Sequence, residues 1–494
     1  MLTAEQIKTF IDADKASPRK QQAEIGDRYY NAQHDILKKR IFFINADGKL
    51  QEDSTKSNIK KPHPFFRENA DQIVQYLMSS DEAVIRSDDP ELKKELDERF
   101  NDNEDFQMQL RELLTDVVTK GFAYAYTYKD VNGKSTFECA DSLGVVEVRK
   151  HETEDNCEYI IYWFVDRIDK DEQKVKRIQV WDDHQVQFFV QIEDGEITLD
   201  ESEEINPRPH VVYKSTKEGD TKRYHHGGYG FIPFRRFDNN RWQTSDLQPI
   251  KPLIDDYDLM SCGLANNIED MSEALYVVTG FEGDNLDELM VNIKAKKHIG
   301  VGEGGDVKIE TVNIPVEARK TMMEIDEENI YRFGMALNLH NLKDTSATTN
   351  IAIKSAYSLL DLKSEKLKPR LKSFLRWQIG LALDEINQEN GTDYMQKDVY
   401  FVFKPEIPTN AQENAQIELT EAQKRQTEIN TVLNLRDVID DETILKLICE
   451  QLDIDYNDIK DKLPTEEPGT DQAAAQAILN NLPEEPEGVM DNAE

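Results

Sequence analysis

Residues 351–390 constrain the fold more than any other stretch, because they predict one uninterrupted helix. At ~1.5 Å per residue, that helix would be on the order of 60 Å long. Pro369 lies inside it and predicts a kink. The stretch follows two predicted helices that flank a compact insertion, and a polar loop precedes it. This order of elements is unusual, and any fold for the chain has to accommodate it.

The chain has 494 residues, which favours two to four domains. It contains no run of the ~20 apolar residues that a membrane helix needs. The first residues carry charges where a signal peptide is apolar, so we expect an intracellular product without a secretion route. None of the four cysteines forms a CxxC pair, which predicts buried thiols and neither a zinc site nor a disulfide scaffold.

The formal net charge is −37. Proteins that hold nucleic acid by neutralising its phosphates are basic, so this charge argues against such a protein. It remains compatible with a protein that lets DNA pass without adhering. Residues 464–494 are rich in Pro, Glu and Ala, and we expect them to be disordered apart from a short helix.

The chain up to about residue 120 is expected to be helical, with Ser17 and Pro18 as a helix start. The helix over 103–121 should end at Gly121. Residues 121–235 are expected to be rich in strands. The evidence is alternating aromatics from Phe122 to Tyr128, an Asn132-Gly133 turn, a buried strand over 158–165, and a hairpin over 177–191 that turns at 182–184.

Helices are predicted again in the second half of the chain. The first covers 244–275, with Pro249 and Pro252 confining its start. A short mixed segment, 276–315, precedes a second helix over 316–338. Beyond the long helix we expect a strand over 399–405, a helix that begins with a Thr409–Gln412 capping box and runs to about 435, and a last helix over 440–452.

Motifs for nucleotide chemistry are weak or absent. The glycine-rich run 300–306 is followed by alternating residues typical of a strand, whereas a dinucleotide site needs a helix there, so a hairpin is favoured. No GxxxxGK[ST] phosphate cradle and no GxSxG elbow occurs. His225 and His226 are adjacent and lack a partner at metal-ligand spacing, which favours a loop.

Asp255, Asp256 and Asp258 are the strongest candidates for metal-dependent catalysis. Two-metal nucleases need convergent carboxylates, and Asp255 and Asp258 share a helix face. In a chain this acidic, a solvated helix face is the favoured interpretation. We therefore predict no enzyme activity, no cofactor and no metal site, and keep a metal-dependent nuclease or nucleotidyltransferase as an alternative. A second alternative is an acidic assembly chaperone whose tail binds a basic partner.

Several segments resemble the portal proteins of tailed double-stranded DNA bacteriophages, especially long-tailed phages of Gram-positive hosts. The specific block is "GFIPFRRFDNN" (230–240) followed by residues 244–281. Supporting segments, in the family's order, are 58–78, 314–334 and 435–448.

The resemblance implies an α+β portal-protein fold that is mainly α-helical, with a β-rich wing, two stem helices, a small α/β clip, a long kinked wing helix and a helical crown. It implies these boundaries: wing 1–235, first stem helix 236–275, clip 276–315, second stem helix 316–338, tunnel loop 339–350, long helix and wing strand 351–405 and crown 406–460. The remaining acidic tail, 461–494, has no counterpart in the resemblance.

The resemblance also implies a function. Family members form a homo-oligomeric ring, usually a dodecamer, at one capsid vertex of the virion. The ring is a channel for DNA packaging and ejection, and it docks the terminase large subunit and later the head–tail adaptor. Major capsid and scaffold proteins would be further partners, no membrane would be involved, and assembly would take place in the host cytoplasm.

Two sets of site residues follow from the resemblance. The tunnel loop facing DNA would present Asn341, Lys343, Thr345, Ser346, Thr348 and Thr349. The clip surface for the motor or adaptor would present Gly302, Glu303, Gly304, Gly305 and Asp306. Family tunnel loops often carry a glycine before the following helix, and this chain has none between Gly334 and Gly380. The hydroxyl and amide groups at 348–350 are predicted to cap that helix instead, which favours a fixed rim over a moving valve.

Overall fold

A computed structural model describes most of the chain. The described residues are 2–45, 48–53, 56–80, 83–130, 133–151, 157–168, 174–214, 224–270, 275–279, 304–310, 315–338, 350–404, 411–434, 443–444 and 446–448. The chain divides into a large unit, Met1–Pro408, and a smaller unit, Thr409–Glu494.

The helices begin and end largely where local chemistry predicts. Ser17 caps the second helix by accepting a hydrogen bond from the Lys20 amide, and Pro18 occupies its first turn. Gly121 ends the fifth helix with φ of 90°, a left-handed conformation that favours glycine. The helices of the described residues are α1 (Ala4–Ala16), α2 (Pro18–Tyr30), α3 (Phe65–Leu77), α4 (Pro90–Leu96), α5 (Glu104–Lys120), α6 (Lys251–Asp270), α7 (Val316–Gly334), α8 (Asn350–Asn390) and α9 (Ala411–Leu433).

The strands lie mainly between α5 and α6, as the alternating aromatic residues predict. They are β1 (Phe42–Ile44), β2 (Leu50–Glu52), β3 (Ile85–Arg86), β4 (Phe122–Lys129), β5 (Ser135–Ala140), β6 (Val145–Val148), β7 (Tyr159–Ile168), β8 (Lys174–Trp181), β9 (Gln185–Ile192), β10 (Thr198–Leu199), β11 (Arg208–Pro209), β12 (Val211–Lys214), β13 (Tyr224–Gly227), β14 (Phe234–Asp238), β15 (Leu275–Thr279), β16 (Asp306–Glu310) and β17 (Tyr400–Phe401).

All strand pairs of the described residues are antiparallel. The largest sheet has the order β10-β9-β8-β7-β6, with β11 also paired to β9, and a second sheet has the order β14-β4-β5. The predicted hairpin at 182–184 joins β8 to β9, with Trp181 opposite Val186. Four two-stranded pairs complete the pattern, namely β1-β2, β12-β13, β15-β16 and β17-β3.

The long helix α8 forms the centre of the largest core. Its buried residues between Leu371 and Ile386 pack with α3, α5 and the β4–β5 hairpin, where Phe374 meets Phe137 edge to face. The 41 residues of α8 confirm the expectation of a helix on the order of 60 Å, with Pro369 inside it. A separate core lies between α1 and the largest sheet, where Ile7 and Ile11 are buried.

Two helix boundaries differ from the sequence prediction. The helix expected over 244–275 is α6, Lys251–Asp270, and Leu275 instead opens strand β15. Residues before Lys251 form turns, because the two prolines restrict the chain there. The helix expected to reach 338 ends at Gly334, after which Met335 adopts a left-handed φ of 55°.

Four smaller expectations also needed correction. His225 and His226 lie in strand β13 rather than in a loop, since they pair with Tyr213 and Val212 of β12. The strand expected over 399–405 is shorter in the structure, where β17 contains only Tyr400 and Phe401. The strand over 158–165 is present, but Val165 near its far end is half-exposed. The N-terminal region includes the β1–β2 pair, because "FFI" favours extended structure over helix.

Cys262 is buried, and Cys139 and Cys157 are half-buried, all as free thiols. The prediction of buried thiols is therefore confirmed for Cys262 and only in part for Cys139 and Cys157, whereas Cys449 lies outside the described residues. None of the described helices is both long enough and apolar enough to cross a membrane.

Candidate functional site

Helices α6 and α7, the two predicted stem helices, share one apolar core at their base. Ile250 immediately before α6, Ile254 in its first turn and Ile330 near the end of α7 are fully buried there. Tyr29 of α2 and Phe66 of α3 complete the same cluster. The helix pair is therefore packed against α2 and α3 of the N-terminal helical region, which lie far earlier in the sequence.

An extended segment, residues 57–63, runs antiparallel along α6, and we call it the strap. Its backbone amides at every second residue donate to α6 side chains spaced four residues apart. Four helical residues rise about 6 Å and two extended residues span about 6.6 Å, so the two periods match. The pairs are Ser57 to Asp270 at 2.9 Å, Ile59 to Asn266 at 2.6 Å, Lys61 to Cys262 at 3.1 Å and His63 to Asp258 at 2.9 Å.

Asp258 is the most heavily bonded of the α6 acceptors. It is fully buried, and its two oxygens accept from Nδ1 of His34 at 2.6 Å and Nδ1 of His63 at 2.7 Å. The ring of Tyr29 stacks on His34 with centroids 4.4 Å apart. Burial by itself raises the pKa of Asp258, but the hydrogen bonds from the two histidines outweigh it and hold the pKa below its usual range.

Asp255 belongs to a different network on the same helix. Lys251 donates from Nζ to Asp255 at 2.6 Å and to Asp35 at 2.8 Å, and the Tyr29 hydroxyl donates to the other oxygen of Asp255. Burial lowers the pKa of Lys251, but the hydrogen bonds to the two carboxylates reverse this and raise the pKa above its usual range. This network ties α6 to the turn at Asp35–Lys38.

The predicted catalytic carboxylates do not converge. Asp255 contacts Lys251 and Tyr29, Asp258 contacts the two histidines, and the neighbour of Asp256 is Asp326 on α7. Within the described residues, no group of three or more His, Cys, Asp or Glu side chains has the arrangement of a metal site. The geometry therefore gives the nuclease alternative no support. The favoured interpretation of a solvated face was also wrong for the fully buried Asp258.

Asp256 and Asp326 place two carboxyl groups between α6 and α7. Asp326 is only 4% exposed, and its Oδ2 atom has no hydrogen-bond partner within the described residues. Burial raises the pKa of Asp326, and the charge of Asp256 raises it further, to about 6. The interface between the two helices therefore contains an acid pair that is destabilising when both members are ionised.

An apolar stripe on α7 is uncovered in the single chain. Met322, Ile325 and Phe333 are between 42 and 50% exposed. At 100° per residue, Ile325 and Phe333 lie roughly 60° to one side and 20° to the other side of Met322, so the three share one face. We call these three residues the α7 stripe. On α6, Ile268 is also exposed, while polar Asp258 and Asn266 are buried under the strap.

Three of the five predicted clip residues, Gly304, Gly305 and Asp306, are described, and they lie at the start of a strand. Gly304 has φ of 88°, and Asp306 opens β16 opposite Thr279 of β15. The expectation that a strand follows the glycine-rich run is confirmed, and the helix that a dinucleotide site needs is not there. Gly302 and Glu303 lie outside the described residues, and Gly305 immediately precedes β16.

The predicted tunnel-loop residues all lie outside the described residues. They are Asn341, Lys343, Thr345, Ser346, Thr348 and Thr349. Their flanks are described, since α7 ends at Gly334 and α8 begins at Asn350. The helix before the loop ends four residues earlier than predicted, and Asn350, predicted as the last loop residue, is the first residue of α8. The assignment of 339–350 as a tunnel loop stays a prediction.

Sequence reasoning missed His34, His63 and Asp326 as parts of this region. A signal was present for the first two, because polar residues at 258, 262, 266 and 270 recur at four-residue spacing on one helix face. Such a stripe on a buried face indicates a bonded partner. The spacing does not show which segment of the chain is that partner, and only the structure identifies it as the extended segment near residue 60.

Comparison with known protein families matches residues 10–454 to "Phage portal protein, SPP1 Gp6-like". The portal protein of Bacillus phage SPP1 is 28% identical over 352 residues, which cover 71% of this chain and 67% of that protein. The portal protein of Clostridium phage phiCD119 is 24% identical over 394 residues, 75% of this chain and 80% of that protein. Among solved structures, a chain of the neck of a native GTA particle, computed with C12 symmetry, covers 78% of this chain and 89% of its own length, with 11% identity and a TM-score of 0.36.

Proposed function

Because the chain belongs to the family of SPP1 Gp6-like phage portal proteins, we propose that it assembles into a closed ring of twelve identical subunits. The family is structural, and this portal protein is not an enzyme. In the proposal, the ring occupies the unique vertex of the capsid, and its channel carries DNA during packaging and ejection.

The exposed α7 stripe is the observation that carries the ring proposal. Three large apolar side chains on one helix face form a patch that a soluble monomer would be expected to cover. A neighbouring copy of the same chain is the partner that a homo-oligomer supplies. In a ring, this face of α7 would be buried against the next subunit.

The charge of the chain supports passage of DNA without adhesion. Twelve copies at −37 each would carry a formal charge of about −444. A field of that sign repels the phosphate backbone, so DNA would slide. Lys343 and the hydroxyl and amide groups of the tunnel loop would offer local phosphate contacts without holding the duplex.

The parts of the subunit receive distinct roles in the proposal. Helices α6 and α7 form the stem, and the strap fixes α6 to the wing. The clip, 276–315, meets the terminase large subunit during packaging and the head–tail adaptor afterwards. The crown, 406–460, faces the capsid interior, and capsid and scaffold proteins contact the ring during assembly in the host cytoplasm.

Electron microscopy of the purified protein tests the ring. Wild-type protein should give ring-shaped particles with twelvefold symmetry in axial views. The double variant Met322→Glu/Ile325→Glu should give less than a tenth of the wild-type ring population, because it places carboxylates in the proposed apolar interface. The control is Lys320→Glu, which makes the same change of two charges on the opposite, exposed side of α7.

Three outcomes separate the possibilities. Rings in wild type and control but not in the double variant support the proposal. Undiminished rings in the double variant would show that the stripe is not the interface. Monomers of the wild-type protein at all protein and salt concentrations would refute the ring itself.

A further inference from the structure

The β1–β2 pair is a small arm with no third strand among the described residues. Each strand has three residues, and Ile44 lies directly opposite Leu50 in the register. An isolated two-stranded hairpin is marginally stable in water and needs packing against another element. We call this pair the arm.

One face of the arm is mainly apolar and open to solvent; its fourth residue, Glu52, lies opposite Phe42 and pairs with Arg40 at 3.9 Å. Phe42 and Ile44 point to the same side because they are two residues apart, and Leu50 joins them because it pairs with Ile44. The three side chains are between 47 and 71% exposed. The chain's own described residues therefore leave uncovered the face that the arm needs to bury.

The strap fixes the base of the arm beside α6. Asn58 donates from Nδ2 to the Lys39 carbonyl at 3.1 Å, and Lys60 donates from Nζ to the Leu37 carbonyl at 3.0 Å. Ser57 is in turn bonded to Asp270 at the end of α6. The base of the arm is thus held at the same helix pair that carries the α7 stripe.

The arm and the helix pair have complementary charge. Residues 38–40 are Lys, Lys and Arg. The side chains of Lys38 and Arg40 are exposed, and each also lies near one carboxylate of its own subunit, Asp35 at 3.7 Å and Glu52 at 3.9 Å. Helices α6 and α7 have five acidic residues each, ten in total, against four basic ones. The exposed carboxylates of α7 include Glu317, Glu324 and Glu328. The arm thus combines an apolar face with basic residues at 38–40, and the helix pair combines the apolar α7 stripe with an excess of acidic residues. The two surfaces are complementary in both respects.

We propose that the apolar face of the arm packs on the α7 stripe of the neighbouring subunit. This deepens the ring proposal and rests on it. A closed cyclic ring has head-to-tail interfaces, each of which joins two different patches of one subunit. The arm and the α7 stripe are two such patches, both apolar and both uncovered. Packing them together buries Phe42, Ile44 and Leu50 of one copy against Met322, Ile325 and Phe333 of the next.

Cross-linking of engineered cysteines tests this pairing in the full-length chain. The variant Ile44→Cys/Met322→Cys, treated with a short bismaleimide, should give a ladder of covalent multimers on a denaturing gel. The matched control, Ile44→Cys/Lys320→Cys, places the second cysteine on the other side of α7 and should give no ladder. Wild type measures the background from its own thiols, three of which are buried or half-buried.

Each outcome decides between the arm proposal and the ring proposal. A ladder in the first variant and not in the second supports the pairing. Rings without a ladder would overturn the arm proposal and leave the ring intact. The absence of rings in both wild type and variants would instead count against the ring.

A second variant tests whether the apolar face of the arm binds another protein instead of the neighbouring subunit. Ile44→Glu/Leu50→Glu should lower the fraction of protein in rings at least tenfold while the far-ultraviolet circular dichroism stays unchanged, since neither side chain belongs to a core. If rings form at the wild-type level but are no longer incorporated into capsids, then the arm binds a capsid or scaffold protein, and the proposed pairing is wrong.

Discussion

Replacement of Asp326 by asparagine should stabilise the protein at neutral and alkaline pH. Asp326 is 4% exposed between α6 and α7, beside Asp256, and its pKa is about 6. A carboxyl group in an unfolded chain has a pKa of about 3.9. At neutral pH, the folded protein therefore has to ionise a group whose ionisation its surroundings disfavour, and asparagine removes that requirement.

The magnitude follows from the difference between the two pKa values. At about 1.36 kcal/mol for each pKa unit, a folded value near 6 corresponds to roughly 3 kcal/mol of lost stability once the group is ionised. Local rearrangement and water entry reduce this figure, so we expect Asp326→Asn to gain about 1–3 kcal/mol at pH 8. The gain also requires the asparagine amide to donate to Asp256, as the protonated carboxyl does.

The reasoning also predicts how the stability difference between variant and wild type depends on pH. Between about pH 4 and pH 6 the folded state binds more protons at Asp326 than the unfolded state, so this group makes the wild-type protein more stable as the pH falls. The advantage of the variant should be complete above pH 6, shrink as the pH falls through 6, and vanish near pH 4. At that pH both versions carry a neutral group.

Urea unfolding at pH 8 and pH 5, at one fixed protein concentration, measures the effect. The control is Glu328→Gln, which removes one exposed carboxylate from the same helix and therefore reports the general effect of net charge. A variant that is less stable than wild type at pH 8, or a gain that does not change with pH, would refute the reasoning.

Three further predictions concern the stem, tunnel loop and clip. Asp258→Ala should lower the free energy of unfolding by about 3–5 kcal/mol, because it leaves the buried His34 and the strap without their acceptor. Urea unfolding measures this loss. The same replacement at the half-exposed Asp255 should lower the free energy of unfolding less. Lys343→Ala should leave rings intact in electron micrographs but alter DNA packaging or retention in a packaging assay, and wild-type packaging would show that Lys343 is not the important contact. Reversing the charge of Glu303 or Asp306 should weaken binding of the terminase or the adaptor in a pull-down, and undiminished binding would contradict the placement of the clip.

Local chemistry predicted the elements whose ends depend on neighbouring residues. Ser17 with Pro18, and Gly121 with its left-handed backbone, mark helix ends correctly because capping involves atoms within a few residues. The length of α8 was also predictable, since its sequence alone sustains the helix. The end of α6 was not. Leu275 suits a helix by spacing, but it pairs with Glu310 in a strand that is completed by residues far along the chain.

The candidate site was predictable in outline and not in its contacts. The two stem helices and the position of the loop between α7 and α8 follow from sequence patterns. The roles of Asp255, Asp256 and Asp258 do not, because each depends on a partner from another element. Their spacing on α6 suggested a shared face, whereas His34, Lys251 and Asp326 assign them to three separate environments.

By itself, the sequence determined the main helices, the strand-rich region between α5 and α6, the acidity of the chain and its membership of the family. These properties depend on composition and on short-range periodicity, which need no knowledge of distant contacts. Only the tertiary structure decided that Asp258 is buried between two histidines, that the strap covers a polar stripe of α6, and that the apolar faces of α7 and the arm remain open. Burial depends on which distant segments meet, and hydrogen bonds with partners more than 190 residues away cannot be read from local spacing.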